Sequence, residues 1–237
     1  MNVPKVMDPQ PLFDVMIRIE YASNRDRPSL LRDWTAVLAD LMPQMDLTPS
    51  SDDQPVPVVR FFDEVLSVAV HDSMIAVRTM AEYPGWDTVR SRMSDVLKKA
   101  SRDVLGIATV TKISMNYLNY FRQSATMEEV VTAGSFWPES LRRDRTSLRH
   151  AWQPRAATEC GHEVIIGDGV TFHSEDERGV ILDITAWTEQ DVPISDSQAI
   201  LDQLDRVHSY EKRLFAALVQ PALLATTTKE WEDCDDD

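Results

Sequence analysis

The sequence contains little cysteine and little glycine. Only 2 of its 237 residues are cysteine, too few for a disulfide framework and in keeping with a reducing cytoplasm. The 7 glycines form neither a Walker loop nor a GxGxxG motif, and no GxSxG nucleophile elbow is present. These absences argue against the commonest nucleotide-binding and hydrolase classes.

Long apolar runs are also missing. No stretch approaches 18 uncharged apolar residues, so no membrane-spanning segment is predicted. The first ten residues have no apolar core and no cleavage-site pattern, so we expect no secretory signal and a cytoplasmic protein. The apolar fraction of 43% is ordinary for a globular protein and excludes disorder of the whole chain.

Basic residues are outnumbered by acidic ones. The 24 Lys+Arg against 39 Asp+Glu give a formal charge of −15, which argues against direct nucleic-acid binding because phosphates would be repelled. Six acids lie in residues 230–237, and without them the charge is −9. We predict that residues 224–237 form a solvated, disordered acidic tail. Alternatively the tail binds a basic partner, with Trp231 as an apolar anchor beside carboxylates such as Asp235.

Arginines are concentrated in one short segment. Five of them fall within fourteen residues: Arg142, Arg143, Arg145, Arg149 and Arg155. Guanidinium groups bind phosphate or carboxylate through two parallel hydrogen bonds, so this cluster is a candidate ligand site. The alternative is an exposed hairpin whose arginines pair with the protein's own acids. We favour the hairpin, because neither a glycine-rich loop nor a series of stacking aromatics accompanies the cluster.

The hydrophobic pattern predicts an α+β fold. Alternating apolar residues at 15–21 indicate a strand, and helical spacing follows in 31–42 and again after residue 86. The order is strand, helix, three strands, helix and strand, then a short helix, four strands and a long helix. We therefore expect antiparallel meanders with long amphipathic helices on one face and a possible two-half pseudo-repeat. We place the two halves at 11–123 and 124–223.

Two local signals refine the second half. Gly167, Asp168 and Gly169 predict a turn between two short strands. Ser195 and Gln198 have the spacing of a capping box, which would begin the final helix.

Three polar residues interrupt otherwise apolar or aromatic strands. Asn116 and Asn119 lie among aromatics, and Asp183 lies inside the apolar run 180–184. A polar side chain in such a place must find a partner or face solvent. If the three residues share a free sheet face, they form a polar and aromatic recognition surface; otherwise they are solvated positions of an exposed face.

Chemistry-bearing side chains are few. Cys160, His162 and His173 are the best metal candidates, but a fourth ligand is missing, so we predict neither a metal nor a cofactor. His208 on the final helix fits a hydrogen-bonded histidine at the core edge better than a catalytic base. No catalytic residue is assigned, and the sequence leaves open whether the protein is an enzyme.

Two short motifs carry a family resemblance. Tyr83-Pro84-Gly85-Trp86, and the later strand 113–119, resemble the YPGW-type turn and LRYxN-type strand of a sporadically distributed bacterial family of uncharacterised proteins. The strand 180–184 and the final helix are similar to that family's C-terminal half, so the resemblance covers residues 11–223. The family's usual arginine is replaced here by Asn116. The resemblance implies an α+β cytoplasmic protein of mobile defence or toxin–antitoxin contexts, with no established catalytic residues.

These observations lead to three functional hypotheses. The first is a noncatalytic protein-binding factor of a bacterial conflict or defence system, immunity- or antitoxin-like, whose acidity attracts a basic or nucleic-acid-acting cognate partner. The alternative is a nucleotide- or phosphate-sensing module, or an enzyme, with a pocket between sheet and helices. The third is a subunit of a larger assembly, with Trp137, Trp152 and Trp187 at interfaces. A homodimer is also open.

Overall fold

The computed structural model describes most of the chain. It covers residues 2–8, 10–23, 26–48, 58–71, 73–80, 83–103, 109–122, 126–132, 147–156, 159–171 and 178–233.

The described residues form helices and strands in an α+β arrangement. The helices are α1 (Arg27–Ala39), α2 (Trp86–Asp103), α3 (Met127–Val130), α4 (Ser197–Leu218) and α5 (Pro221–Thr227). The strands are β1 (Asn2–Met7), β2 (Leu12–Ala22), β3 (Gln44–Thr48), β4 (Val58–Phe62), β5 (Leu66–Val70), β6 (Met74–Thr79), β7 (Thr109–Arg122), β8 (Ser147–Trp152), β9 (Gly161–Thr171), β10 (Arg178–Thr188), β11 (Val192–Pro193) and β12 (Thr228–Asp233). With 47% strand, 34% helix and mostly antiparallel pairing, the predicted fold class is confirmed.

The chain divides into two compact units, each built from separate stretches of sequence. Unit 1 comprises Met1–Asp14, Asn116–Ala186 and Val207–Asp237, and unit 2 comprises Val15–Met115 and Trp187–Arg206. This division differs from the predicted halves at 11–123 and 124–223. The unit boundaries fall inside β2, β7, β10 and α4, so each of these elements contributes residues to both units. A division of the sequence into two consecutive halves cannot represent this arrangement.

Unit 2 contains the strand order β3-β4-β5-β6-β2-β7, with β11 paired to β7. In β2 the alternate residues Val15, Ile17, Ile19 and Tyr21 are buried, as the period-two pattern predicts. The apolar stripe of α2 is buried as well, including Met93 at 0% exposure. Helix α1 begins one turn earlier than its first apolar residue suggests, because Asp26 accepts a hydrogen bond from the Ser29 amide at 3.0 Å.

Unit 1 contains the strand order β7-β10-β9-β8. Its core is a single apolar cluster in which the inward residues of β9 and β10 pack with the second half of α4. In β10 the even-numbered residues from Val180 to Ala186 are 0% exposed, whereas Ile181, Asp183 and Thr185 are half-buried. Unit 1 therefore has one fully buried sheet face and one partly open face.

The predicted disordered tail is corrected by the structure. Residues 221–227 form α5, and residues 228–233 form β12, which pairs antiparallel with β1. Lysines balance the acids of this strand, since Lys5 ion-pairs with Glu230 at 3.8 Å and Lys212 ion-pairs with Glu232. Their partners come from distant sequence, so charge composition alone could not reveal the strand. Residues 234–237 lie outside the described part of the chain.

Two smaller predictions are also corrected. Residues 167–169 do not form a turn but continue β9, where Gly167 pairs with Ser147 of β8. The capping box of Ser195 and Gln198 is replaced by Asp196, whose carboxylate accepts from the Ala199 amide at 3.0 Å. No helix among the described residues has the length and apolar character needed to cross a membrane.

At Gly179, β10 lies close against Tyr120 and Phe121 of β7. A Cβ atom there would lie 2.4 Å from the Phe121 carbonyl oxygen and 2.6 Å from the Tyr120 ring. We expect Gly179→Ala to lower the free energy of unfolding by about 1–3 kcal/mol through overpacking, measured by denaturant unfolding. Gly85→Ala meets no atom within 4 Å and is strained only by its φ of 90°, so it provides a comparison without a clash. A loss below about 0.5 kcal/mol for Gly179→Ala, the usual range for a surface change, would contradict the packing described.

Candidate functional site

Asn116, Asp183 and Thr185 form a polar cluster on the partly open sheet face of unit 1. The Asn116 side-chain amide donates to the Asp183 carboxylate and, at 2.8 Å, to the Thr185 hydroxyl. All three side chains are half-buried. Asp183 is thus accommodated in an apolar strand because it accepts a hydrogen bond across to β7 while remaining in partial contact with solvent.

Asn119 does not belong to this cluster. It lies three residues from Asn116, so the alternation of the strand turns it to the opposite, buried face, where it is 4% exposed. Its amide donates to the Leu182 carbonyl at 3.3 Å and to the Tyr117 carbonyl at 3.5 Å. The predicted surface therefore loses Asn119 and gains Thr185, which the sequence did not mark because threonine is common in strands.

The described arginines of the 142–155 segment contact the protein's own side chains. Arg149 ion-pairs with Glu163 of the neighbouring strand β9. The Arg155 guanidinium lies over the Trp152 ring, 5.7 Å from its centroid. Arg142, Arg143 and Arg145 lie outside the described residues. Arg149 is therefore placed as the hairpin alternative expects, paired with one of the protein's own acids, whereas Arg155 contacts an aromatic ring.

Of the two residues predicted to bind a partner from the acidic tail, Trp231 lies in the described part of the chain. Trp231 lies on β12 opposite Pro4 and is 46% exposed. Asp235 is outside the described residues. Trp231 therefore presents apolar surface to solvent from a hydrogen-bonded strand.

A hydrogen bond between Tyr117 and His208 joins β7 to α4. The Tyr117 hydroxyl and His208 Nδ1 are 2.7 Å apart, and the histidine is 8% exposed. Burial, with a smaller contribution from the charge of Lys212, lowers the pKa of His208 to about 3. His208 is consequently neutral at physiological pH, in agreement with the prediction of a hydrogen-bonded histidine at the core edge.

A second tyrosine–histidine bond joins α4 to β9, two residues along the helix. The Tyr210 hydroxyl lies 2.7 Å from His162 Nδ1, and His162 Nε2 lies 3.3 Å from His150 Nδ1. Burial, with a smaller contribution from His150, lowers the pKa of His162 to about 4. A neutral imidazole has one donor and one acceptor nitrogen. His162 therefore donates one of these two hydrogen bonds and accepts the other.

Glu211, the residue after Tyr210, is a buried carboxyl on α4. It is 3% exposed, and burial raises the pKa of its carboxyl to about 8, with the charge of Lys212 opposing the rise. Glu211 was not predicted from the sequence. The signal was present, because Glu211 falls four residues after Val207 and four before Phe215, on the apolar stripe of the helix.

Cys160 and His162 do not form the metal site considered above. Cys160 is buried near Tyr210 and contributes to raising the pKa of that phenol, after burial itself. His162 is hydrogen-bonded to Tyr210 and His150, and His173 lies outside the described residues. Across the described part of the chain, no three histidine, cysteine, aspartate or glutamate side chains are grouped to hold a metal ion.

The YPGW turn of unit 2 has a structural role that its geometry explains. Gly85 has a φ of 90°, a conformation that favours glycine, and it sets the direction of α2. The next residue, Trp86, donates its indole N–H to Asp205 of α4 at 2.9 Å. Arg90 donates to both oxygens of the same carboxylate at 2.8 Å. The turn therefore ties the start of α2 to α4 within unit 2.

Comparison with known proteins adds no assignment to these sites. Neither the protein-family models nor the curated proteins contain a match to this chain.

Removal of the Tyr117 hydroxyl should destabilise the fold. We expect Tyr117→Phe to cost about 1–3 kcal/mol of unfolding free energy, because a buried histidine nitrogen loses this partner. Tyr210→Phe removes a bond of the same length at a half-buried side chain, where water can replace the hydroxyl, and should cost less. Denaturant unfolding of both variants measures the difference. Equal stability of Tyr117→Phe and the wild type would show that the bond contributes nothing.

The buried groups predict a stability maximum near pH 6.5. His162 and His208 have folded pKa values of about 4 and 3 against 6.5 for an unperturbed histidine, so the unfolded chain binds more protons and stability rises with pH up to 6.5. Glu211 has a folded pKa of about 8 against 4.5, so the native chain holds the extra proton and stability falls between those values. Below 6.5 the two histidines outweigh Glu211, whereas above it Glu211 acts alone.

Glu211→Gln isolates this effect. The decline between pH 6.5 and 8, up to about 1.4 kcal/mol per pH unit, should disappear in Glu211→Gln because the side chain no longer ionises. The exposed exchange Glu128→Gln should leave the decline in place. Identical profiles for wild type and Glu211→Gln in chemical unfolding across this range would refute the assignment.

Proposed function

We propose that this protein is a noncatalytic binding factor that recognises another protein through the partly open sheet face of unit 1. The observation that carries the proposal is the cluster of Asn116, Asp183 and Thr185, which lies on that face and remains partly accessible to solvent. Half-buried Ile181 and Ile165 belong to the same face by strand alternation. Polar groups among apolar neighbours are typical of non-obligate protein interfaces.

The placement of the ionisable side chains supports a binding role over catalysis. The strongly perturbed groups of unit 1, His162, His208 and Glu211, are buried on the helix-covered face, opposite the polar cluster. Both histidines are hydrogen-bonded to tyrosines in a way that attaches α4 to the sheet. Burial is the main cause of the pKa shifts of all three groups, and it explains them without a substrate.

The net charge defines the class of partner. At −15, the chain attracts a basic protein at long range and repels nucleic acid. A basic nucleic-acid-acting toxin or defence effector fits this description, and the protein would act as its immunity or antitoxin factor. The resemblance to a family of bacterial defence contexts is consistent with this proposal.

Co-expression with the product of the adjacent gene tests the proposal. We expect the two proteins to co-purify and the wild-type chain to rescue growth if the neighbour is toxic. Asn116→Ala combined with Asp183→Ala should weaken binding about 10-fold or more, since interface hot spots contribute 2 kcal/mol or more.

A matched control exists in unit 2. Gln198 donates to Asp202 at 2.7 Å on the exposed side of α4, which is also an amide–carboxylate pair. Gln198→Ala combined with Asp202→Ala should leave binding unchanged. The proposal fails if the adjacent product does not bind, or if both double variants weaken it equally while thermal unfolding shows that both are folded.

A further inference from the structure

The sheet of unit 2 has one buried face and one open face, and the register of its strands shows which residues share each face. Pairing from β4 through β5 and β6 to β2 places four apolar residues in one row, each at most 1% exposed: Phe61, Val68, Val77 and Ile17. Directly opposite residues lie on the same face, and the face alternates along each strand. The neighbours of these four residues along their strands therefore face away from the core.

The open face carries two arginines with small side chains between them. One row across the strands consists, from β4 to β2, of Arg60, Ala69, Ala76 and Arg18. Both arginines are exposed and both alanines are half-buried. Three spacings between neighbouring strands separate the arginines, so their Cα atoms are about 14 Å apart across a shallow floor. We call the surface formed by Ala69 and Ala76 the alanine floor.

Neither arginine is neutralised by an acid of the described chain. Arg18 and Arg60 form no ion pair with any residue that the structure describes, although Asp46 lies opposite Arg60 and Glu20 follows Arg18 on the same face. The chain has 39 acidic and 24 basic residues, so its composition favours the opposite outcome. A guanidinium in this state can bind an anion through two parallel hydrogen bonds.

A buried hydroxyl group lies on the same face, beside the alanine floor. Ser67 is 6% exposed and is placed opposite Phe62 on one side and Arg78 on the other. Within the described part of the chain, no residue forms a hydrogen bond with its hydroxyl. Buried polar groups ordinarily have a hydrogen-bond partner, so this hydroxyl points to a ligand that supplies one.

An aromatic ring and the net charge narrow the class of ligand. Phe62 is half-buried and lies two residues from Arg60 on the same face of β4. An aromatic ring beside an arginine suits a base that stacks and a phosphate that carries charge. The charge of −15 repels a polyanion more strongly than a ligand with one or two phosphates. A nucleic acid is therefore disfavoured and a small nucleotide is favoured.

We infer that the open face of the unit 2 sheet binds a nucleoside mono- or diphosphate. Arg18 and Arg60 hold the phosphate groups above the alanine floor, the base stacks on Phe62, and the Ser67 hydroxyl donates to the ligand. The small side chains of the floor allow the ligand to approach the sheet closely. This site shares no residue with the polar cluster of unit 1, so its failure and that of the proposed function are distinguishable.

Calorimetric titration with ADP tests the role of the arginines. We expect ADP to bind the wild-type chain, and Arg18→Gln and Arg60→Gln each to weaken binding about 10- to 100-fold, because each removes a charged hydrogen-bond donor. Arg206→Gln removes the same charge from an exposed position of α4 in unit 2 and should leave binding unchanged. Absence of ADP binding at about 10 mM, or an equal loss in all three variants, would refute the inference.

Inorganic phosphate and an oligothymidylate test the class of ligand. ADP should bind more tightly than inorganic phosphate, and Phe62→Leu should remove that advantage while leaving phosphate binding unchanged. The oligothymidylate should bind no more tightly than ADP, since the net charge opposes it. Equal affinities for ADP and phosphate, or tighter binding of the oligothymidylate, would overturn the assignment to a nucleoside phosphate.

Ala76→Leu tests the alanine floor without a change of charge. The larger side chain occupies the space between the two arginines and should weaken ADP binding about 10-fold or more, whereas Ala76→Ser should bind ADP as the wild type does. Thermal unfolding establishes that both variants are folded. A folded Ala76→Leu variant with unchanged ADP affinity would show that the ligand does not lie on this floor.

Discussion

Two tyrosine–histidine hydrogen bonds attach α4 to the sheet in unit 1, and the two residue types are exchanged between them. On one side the sheet supplies the tyrosine, Tyr117, and the helix supplies the histidine; on the other the helix supplies Tyr210 and the sheet supplies His162. The strands involved, β7 and β9, flank β10, so the helix is fixed across three strands. Each bond satisfies polar groups that would be costly to bury alone, and burial keeps both imidazoles neutral at physiological pH.

This constraint explains why polar residues on the buried face are not evidence of catalysis. Asn119 and Tyr117 belong to the aromatic strand motif, and both are bonded inside the core. Trp86 of the YPGW turn is bonded to Asp205 in unit 2. The residues of these two motifs therefore act in this chain as structural connections. The polar cluster that remains partly accessible lies on the opposite sheet face of unit 1.

The sequence identified two members of the site, Asp183 and Asn116, but misplaced Asn119 and did not reveal the partners of several buried or charged residues. Asp183 was recognisable because a carboxylate interrupts an apolar strand, and its hydrogen-bond partner Asn116 was selected for a similar reason. Asn119 was grouped with Asn116, although two residues three positions apart on a strand point to opposite faces of the sheet. Tyr210 and Glu211 were not selected, although Glu211 lies on the apolar stripe. The acids of β12 could not be placed, because their lysine partners lie in β1 and α4.

The sequence by itself determined the α+β class, the course of the main strands and helices, and the faces that they bury. These properties follow from short-range periodicity, which each segment carries independently of the rest. Only the tertiary structure decided that the terminal acids form a strand, that the two units interleave along the chain, and that Asn116 meets Asp183. Those outcomes depend on contacts between residues far apart in sequence, whose free energy no local pattern contains.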